Sequence, residues 1–224
     1  GLLIIPTSVA MMFSAPLSGQ LMDKIGPRNL VLAMAGAMIL GVMLMTGLQP
    51  DSSTISAIIP LTIFGFGAGL GMPALTDTVM AAVPEADAGI GSAVNDVSRE
   101  LGGALGIAMI GSVVSTFYRS NVGEALAGAP EEVIELASES VGVAAVAAQQ
   151  LPPELAGTVL AAANQAFVDA MTSGFQISAA ILASAIVIAF TLIPRRMRTE
   201  QAQAGVDVKA PSFTPDPLPQ PAAA

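Results

Sequence analysis

Five apolar runs constrain this sequence more than any other feature, because each is about as long as a membrane-crossing helix. A helix needs about 20 apolar residues to cross the hydrocarbon core of a bilayer. With 53% hydrophobic and only 11% charged residues, the chain can keep such runs low in charge. The pattern predicts an all-α membrane protein with five transmembrane helices. The expected spans are 2–21, 30–48, 57–83, 93–117 and 172–193.

The distribution of basic residues orients these spans. Cytoplasmic loops of membrane proteins are enriched in Lys and Arg. Under alternating topology only Arg119 falls on one side, opposite all the loop and tail cations. We therefore expect a multi-pass membrane protein, with residues 195–224 as a disordered cytoplasmic tail. The cations on the cytoplasmic side are Lys24, Arg28, Arg195, Arg196, Arg198 and Lys209.

An acidic stretch, 118–171, separates the last two spans and is expected outside the cytoplasm. Pro130 precedes two glutamates and Pro153 precedes Glu154, and both patterns are typical of helix starts. The sequence predicts an extracytoplasmic helical loop, with its second helix continuous with the last span. A solvated acidic linker is the alternative.

Several classes of function are disfavoured by residues that the chain lacks. It has no His and no Cys, which argues against thiolate and zinc sites and against histidine general bases. Intramembrane proteases use such groups or paired membrane carboxylates. No basic patch with interleaved aromatic residues suggests nucleic acid. We expect no enzyme activity, catalytic residue, metal or cofactor. Because Gly1 begins directly in an apolar run, we expect a piece of a longer protein rather than a signal peptide.

The segment GQLMDKIGPR, residues 19–28, concentrates charge and glycine between the first two spans. It resembles the loop signature of the major facilitator superfamily, with Pro27 where the family usually has a basic residue. In that family the signature follows the second helix of a six-helix half. The resemblance implies that residues 1–194 are helices two to six of a C-terminal half, with the N-terminal half of the same chain missing. The matching residues are Gly19, Leu21, Asp23, Lys24, Gly26 and Arg28.

Two further stretches, 65–74 and 91–113, are similar to helices of the fourteen-helix drug:proton antiporters. This resemblance implies export of drugs or other small amphipathic molecules in exchange for protons, and a place in the plasma (inner) membrane. Its partners would be the lipid bilayer, the substrate, protons and the missing half. The family also implies that the signature latches one half against the other, with the partner of Asp23 in the missing half. An ordinary short positive loop is the alternative interpretation of the signature.

Small residues repeat at four-residue spacing on the third and fourth spans. Such pairs let helix backbones approach closely, and a role in the transport pathway or gate is the alternative. Pro73 is expected to kink the third span. Among 12 Met and 8 Phe, the side chains of Phe13, Phe64 and Phe66 are candidates for an adaptable drug cavity. The packing or gate candidates are Gly65, Gly67, Gly69, Gly71, Pro73, Gly102, Gly103 and Gly106.

Four charged residues lie within or near the predicted spans: Asp77, Asp96, Arg99 and Glu100. A charge at the bilayer centre costs about 2.5–3.5 kcal/mol on insertion scales, so each requires a partner or a wet environment. Asp77 and Arg99 are expected at matching depth on consecutive helices and are predicted to form an ion pair. Asp96 and Glu100 are rival partners for Arg99. Interfacial positions at wet helix ends are the alternative for all four.

Two other functions stay open at this level. One is a major-facilitator transporter of a different solute, because one fold serves many substrates. The other is a membrane scaffold that does not transport, which accounts for the packing glycines but not for the signature.

Overall fold

The computed structural model describes residues 4–193, and every regular element in that range is helical. The predicted tail at 195–224 lies outside the described residues. A short 3-10 turn, Glu85–Asp87, precedes the third helix. The helices are α1 (Ile5–Met45), α2 (Thr54–Ala81), α3 (Ala88–Ala125), α4 (Glu131–Glu139), α5 (Val141–Ala148) and α6 (Pro153–Leu192).

Helix α1 has two segments, 5–25 and 27–45, which meet at Gly26. Gly26 has φ 80° and ψ 163°, angles that break the helix and that only glycine adopts readily. Pro27 follows, and proline suits the first position of a helix because the N–H that it lacks has no intrahelical partner there. The structure therefore corrects the predicted loop: helix continues on both sides of a one-residue break.

The two segments of α1 run in opposite directions along α2. On the first segment, the Thr7 hydroxyl donates to the Leu61 carbonyl at 3.3 Å and the Ser18 hydroxyl to the Leu70 carbonyl at 2.8 Å. Residue numbers rise together in these contacts, so the first segment is parallel to α2. On the second segment, Gly41 lies against Phe64, whereas Met34 lies against Gly71, so the order is reversed. The chain thus turns back on itself at Gly26.

Helix α6 is the centre of the remaining contacts. It packs antiparallel to α3, where the position that a Cβ on Gly174 would occupy is 2.7 Å from the Val114 side chain. It also packs against α1, and the two meet where Arg28 lies over the Phe190 ring. Helix α3 touches α2 far less, and Gly91 of α3 lies against Val83 of the connection between them.

Residues 118–171 form a helical cap, built from the end of α3, from α4 and α5, and from the start of α6. Tyr118 joins its parts, because its hydroxyl donates to the Ala137 carbonyl of α4 at 2.9 Å. The cap has its own buried apolar core, which includes Val122, Val133 and Val159. Helices α4 and α6 begin beside Pro130 and Pro153, where the sequence predicts helix starts. Helix α5 and the extension of α3 into the cap are absent from that prediction.

Four helices in the described range are long and apolar enough to cross a membrane: α1, α2, α3 together with the preceding turn, and α6. Helix α1 has 41 residues, which as one straight helix would span about 60 Å, twice the hydrocarbon thickness of about 30 Å. Because α1 reverses direction at Gly26, each of its segments has the length of one crossing.

Candidate functional site

The signature residues surround the turn at Gly26. Gly19, Asp23 and Lys24 are exposed, whereas Gly26 is buried. Asp23 and Lys24 have no side-chain hydrogen bond or ion pair with any residue between 4 and 193. The signature therefore holds the bend with its buried glycine and presents an acid and a base at the surface of the described chain.

Arg28 connects this turn to the end of the last helix. Its guanidinium carbon lies 3.8 Å from the centroid of the Phe190 ring, which is within the range of a cation–π contact. Phe190 is three residues before the end of the described chain and about 160 residues from Arg28 in sequence. No spacing rule connects two such residues, so sequence reasoning missed this contact.

We expect the substitutions Arg28→Gln and Phe190→Leu to be non-additive, with a coupling of about 0.5–2 kcal/mol, because either change alone removes the same cation–π contact. The measurement is a double-mutant cycle on heat stability in lipid nanodiscs. Lys24→Gln is the matched control: it removes the same charge from the same turn but has no partner among the described residues. Additive losses at Arg28 and Phe190 would show that the contact contributes nothing.

A glycine seam on α2 receives both segments of α1. A Cβ on Gly65 would lie 2.5 Å from the Thr7 carbonyl oxygen, and one on Gly69 would collide with the Ser14 hydroxyl. On the opposite side, a Cβ on Gly71 would overlap the Met34 side chain. These three glycines therefore allow close helix approach, as the small-residue spacing predicts.

Two buried serines complete this seam and were not singled out from the sequence. Ser14 and Ser18 lie four residues apart on the first segment of α1 and are both buried. Because Pro73 has no N–H, the Gly69 carbonyl lacks its usual helical donor. The Ser18 hydroxyl donates to the next carbonyl along the helix, that of Leu70. The sequence did contain an indication of these serines: the spacing of Thr7, Ser14 and Ser18 places all three on one helical face.

The glycines of α3 are arranged differently. A Cβ on Gly102, Gly103 or Gly106 would meet nothing within 4 Å among the described residues. Close packing at these positions stays a prediction. Helix α2 continues through Pro73 as one helix.

The four charged residues are exposed, and their pairing differs from the main expectation. The Arg99 guanidinium lies 3.4 Å from the Asp96 carboxylate, with 57% and 59% of the two side chains exposed. Asp77 forms no ion pair within residues 4–193, so the predicted Asp77–Arg99 pair is wrong for this structure. The reason is that the seam preceding Asp77 faces α1, and α2 packs extensively against α1 but little against α3. Glu100 is exposed beside the pair.

An apolar cavity of ≈ 460 Å³ lies among α1, α2, α3 and α6. Met38 and Met45 of α1, Phe64 of α2 and Phe175 of α6 contribute to its wall, together with Gly106 of α3. Flexible thioethers and aromatic rings suit an apolar guest of variable shape. This volume lies within the usual range for small-molecule sites, about 300–1,000 Å³.

The cavity uses only one of the three phenylalanines proposed from the sequence. Phe64 lines it, whereas Phe13 and Phe66 are exposed on the described surface. Phe175 lines it without having been predicted. It lies among apolar residues of the last span, and hydropathy alone does not indicate which of them faces the cavity.

Comparison with known proteins gives consistent matches. Residues 1–107 match the profile of the Major Facilitator Superfamily. The chain is 29% identical over 193 residues to the multidrug efflux pump LfrA of Mycolicibacterium smegmatis. This alignment covers 86% of this chain and 37% of that protein. It is 34% identical over 171 residues to the methyl viologen resistance protein SmvA of Salmonella typhimurium, covering 75% of this chain and 34% of that protein.

A third similar protein is also named as a drug efflux pump. The drug efflux pump JefA of Mycobacterium tuberculosis is 26% identical over 206 residues, covering 87% of this chain and 40% of that protein. The chain thus spans between 34% and 40% of the length of these three curated relatives. The matched region includes the signature turn at Gly26 and the glycine seam of α2. With these matches and the signature residues at the bend of α1, the chain belongs to the major facilitator superfamily.

Proposed function

We propose that this protein exports drugs or other small amphipathic molecules across the plasma (inner) membrane in exchange for protons. The observation that carries the proposal is the similarity, over 75% to 87% of the chain, to three proteins named for drug efflux or methyl viologen resistance. The apolar cavity lined by Met38, Met45, Phe64 and Phe175 supports it, because such a wall accepts guests of different shape. A preceding half of the same protein would supply the other wall of the transport pathway.

The signature turn is proposed to act as a conformational latch. Asp23 and Lys24 are exposed beside the rigid turn at Gly26, where they are free to pair with an acid, a base or a helix end outside the described residues. Contacts made in one state and broken in another bias a two-state equilibrium between inward- and outward-facing forms. Asp77, Asp96, Arg99 and Glu100 are proposed to lie at wet membrane ends or to face that other half.

The export proposal is tested in inside-out membrane vesicles from cells that express the full-length protein and lack other multidrug pumps. An acidic vesicle interior should drive accumulation of a labelled lipophilic cation, and collapse of the proton gradient should abolish it. Vesicles with an inactive signature, Asp23→Asn, provide the control. The proposal is contradicted if a panel of amphipathic compounds shows no gradient-dependent accumulation above vesicles without the protein.

We also propose five membrane crossings, with each segment of α1 crossing once, the turn at Gly26 and the tail in the cytoplasm, and the helical cap outside. The chain has no native Cys, so single cysteines report topology directly. Cysteines at Ser52 and Ala127 should react with an impermeant thiol reagent added to intact cells, because both positions are exposed and lie on the proposed outer side. A cysteine at Asn29 should react only after the membrane is permeabilised. The opposite pattern would contradict this topology.

A further inference from the structure

A second cleft, of ≈ 400 Å³, lies where the helical cap rests on α3 and α6. Its wall is mostly apolar and includes Tyr118, Phe167 and Met171. Glu139, the last residue of α4, also lines it, and its carboxylate has no ion-pair partner among residues 4–193. The cleft therefore combines aromatic rings, a thioether and one carboxylate in a volume suited to a small molecule.

The geometry of the cap fixes this cleft in place. The Tyr118 hydroxyl is committed to the Ala137 carbonyl at 2.9 Å, which holds α4 against α3. The buried core of Val122, Val133 and Val159 lies directly behind. Glu139 is two residues beyond Ala137 on the same helix, so its backbone position is set by packing. The cleft is a formed feature of the fold and does not depend on a mobile loop.

Charge favours a cationic occupant. The helical cap contains seven acids and a single base, Arg119. A concentration of one sign of charge raises the local concentration of ions of the opposite sign. An aromatic ring attracts cations through its face, and a carboxylate attracts them directly. An anion would meet only repulsion from Glu139 and from the surrounding acids.

The cleft also lies next to the apolar cavity of the bundle. Ile110 of α3 lines both. On α6, Met171 lines the cleft and Phe175, one helical turn further along, lines the cavity. A molecule that leaves the cavity towards the cap therefore meets this cleft next.

We propose that the cleft at Glu139 is a binding site for lipophilic organic cations with aromatic groups, adjacent to the apolar cavity and on the cap side of it. Its biological role, as a station on the outward path, rests on the proposed export function. Tyr118 and Phe167 contact the aromatic groups of the ligand, and Glu139 stabilises its charge.

The test measures equilibrium binding of tetraphenylphosphonium to the full chain in lipid nanodiscs. Tetraphenylborate, which has nearly the same shape and the opposite charge, is the ligand control. Glu139→Gln should weaken tetraphenylphosphonium binding about fivefold, as expected for loss of one partly exposed charge contact. Glu135→Gln removes the same charge from the same helix without touching the cleft and should change binding less than about twofold. Equal effects of the two substitutions would overturn the proposal.

A fluorescent reporter locates the bound cation. The chain has no Trp, so Phe167→Trp introduces a single indole into the cleft. Its emission should change saturably with tetraphenylphosphonium, and the half-saturating concentration should rise about fivefold in the Glu139→Gln background. Phe13→Trp places the reporter on the exposed face of α1 and should report only non-saturable partitioning into lipid. Identical responses from the two reporters would show that the cleft is not the site.

Failure of this inference and failure of the export proposal give different results. A chain that binds the cation through Glu139 in a protein without efflux supports the site and contradicts the export function. An active exporter whose cation binding is unchanged by Glu139→Gln contradicts the site alone.

Discussion

Replacing Gly65 with alanine is expected to destabilise the helix bundle by about 2–3 kcal/mol, or to abolish its accumulation in the membrane. The added Cβ would lie 2.5 Å from the carbonyl oxygen of Thr7 and 2.8 Å from its Cα. Both are backbone atoms, which cannot rotate away as a side-chain end does. The first segment of α1 must therefore move away from α2, and the hydrogen bonds of Thr7 and Ser18 to α2 weaken with it.

The matched control is Gly102→Ala on α3. A Cβ there meets nothing within 4 Å of the described chain, so alanine should be neutral or stabilise the helix by up to about 1 kcal/mol. The measurement is the midpoint of heat-induced loss of the monodisperse peak in size-exclusion chromatography, made on this chain in detergent. Similar losses for the two variants would contradict the seam on α2. A large loss only at Gly102 would place the close contact on α3 instead.

Gly26→Ala is expected to have the second large effect, a loss of about 2–3 kcal/mol together with the Arg28–Phe190 contact. The cause is the backbone: φ 80° with ψ 163° is a region that side chains with a Cβ strongly avoid. The reversal between the two segments of α1 depends on those angles. An alanine must either remain strained or shift the turn, and a shifted turn moves Arg28 from the Phe190 ring.

Two further variants isolate this cause. Gly19→Ala lies on the same segment in helical conformation with open space around it, so it should be tolerated. Gly26→Asn should be as harmful as Gly26→Ala, because asparagine tolerates the left-handed helical region but not ψ near 163°. Rescue by asparagine would contradict the observed conformation. Stability is read by the same chromatographic midpoint and the contact by the double-mutant cycle with Phe190.

Local sequence patterns predicted those features that depend on only a few consecutive residues. The four long apolar helices follow from hydropathy, because a bilayer selects apolar runs whatever their neighbours. Pro130 and Pro153 indicate helix starts, because proline suits the first turn of a helix. The glycines and charges of residues 19–28 indicate a turn between two apolar runs, but not that helix continues on both sides of a one-residue break at Gly26. The signature residues around Gly26 indicate the family, and they lie within residues 1–107, which match its profile.

Local sequence patterns did not predict which helices contact each other. Gly65 and Gly102 have the same four-residue spacing to a second glycine, yet the first lies against Thr7 and a Cβ on the second would meet nothing within 4 Å among residues 4–193. A small-residue pair marks where a helix can be approached closely, but not which helix approaches. The predicted Asp77–Arg99 pair was wrong for this reason: equal depth on consecutive helices does not make two faces meet, and Arg99 pairs with Asp96 one turn away.

The sequence by itself therefore determined the helical membrane architecture and the membership of the superfamily, whereas the one-residue break at Gly26 came from the structure. The tertiary structure alone decided which faces meet: Phe190 under Arg28, Phe64 and Phe175 at the apolar cavity, and Glu139 at the cleft beneath the helical cap. The physical reason is that hydropathy, proline and glycine act on a few consecutive residues. Contacts between distant helices depend instead on how all the segments pack at once, and no single segment encodes that arrangement.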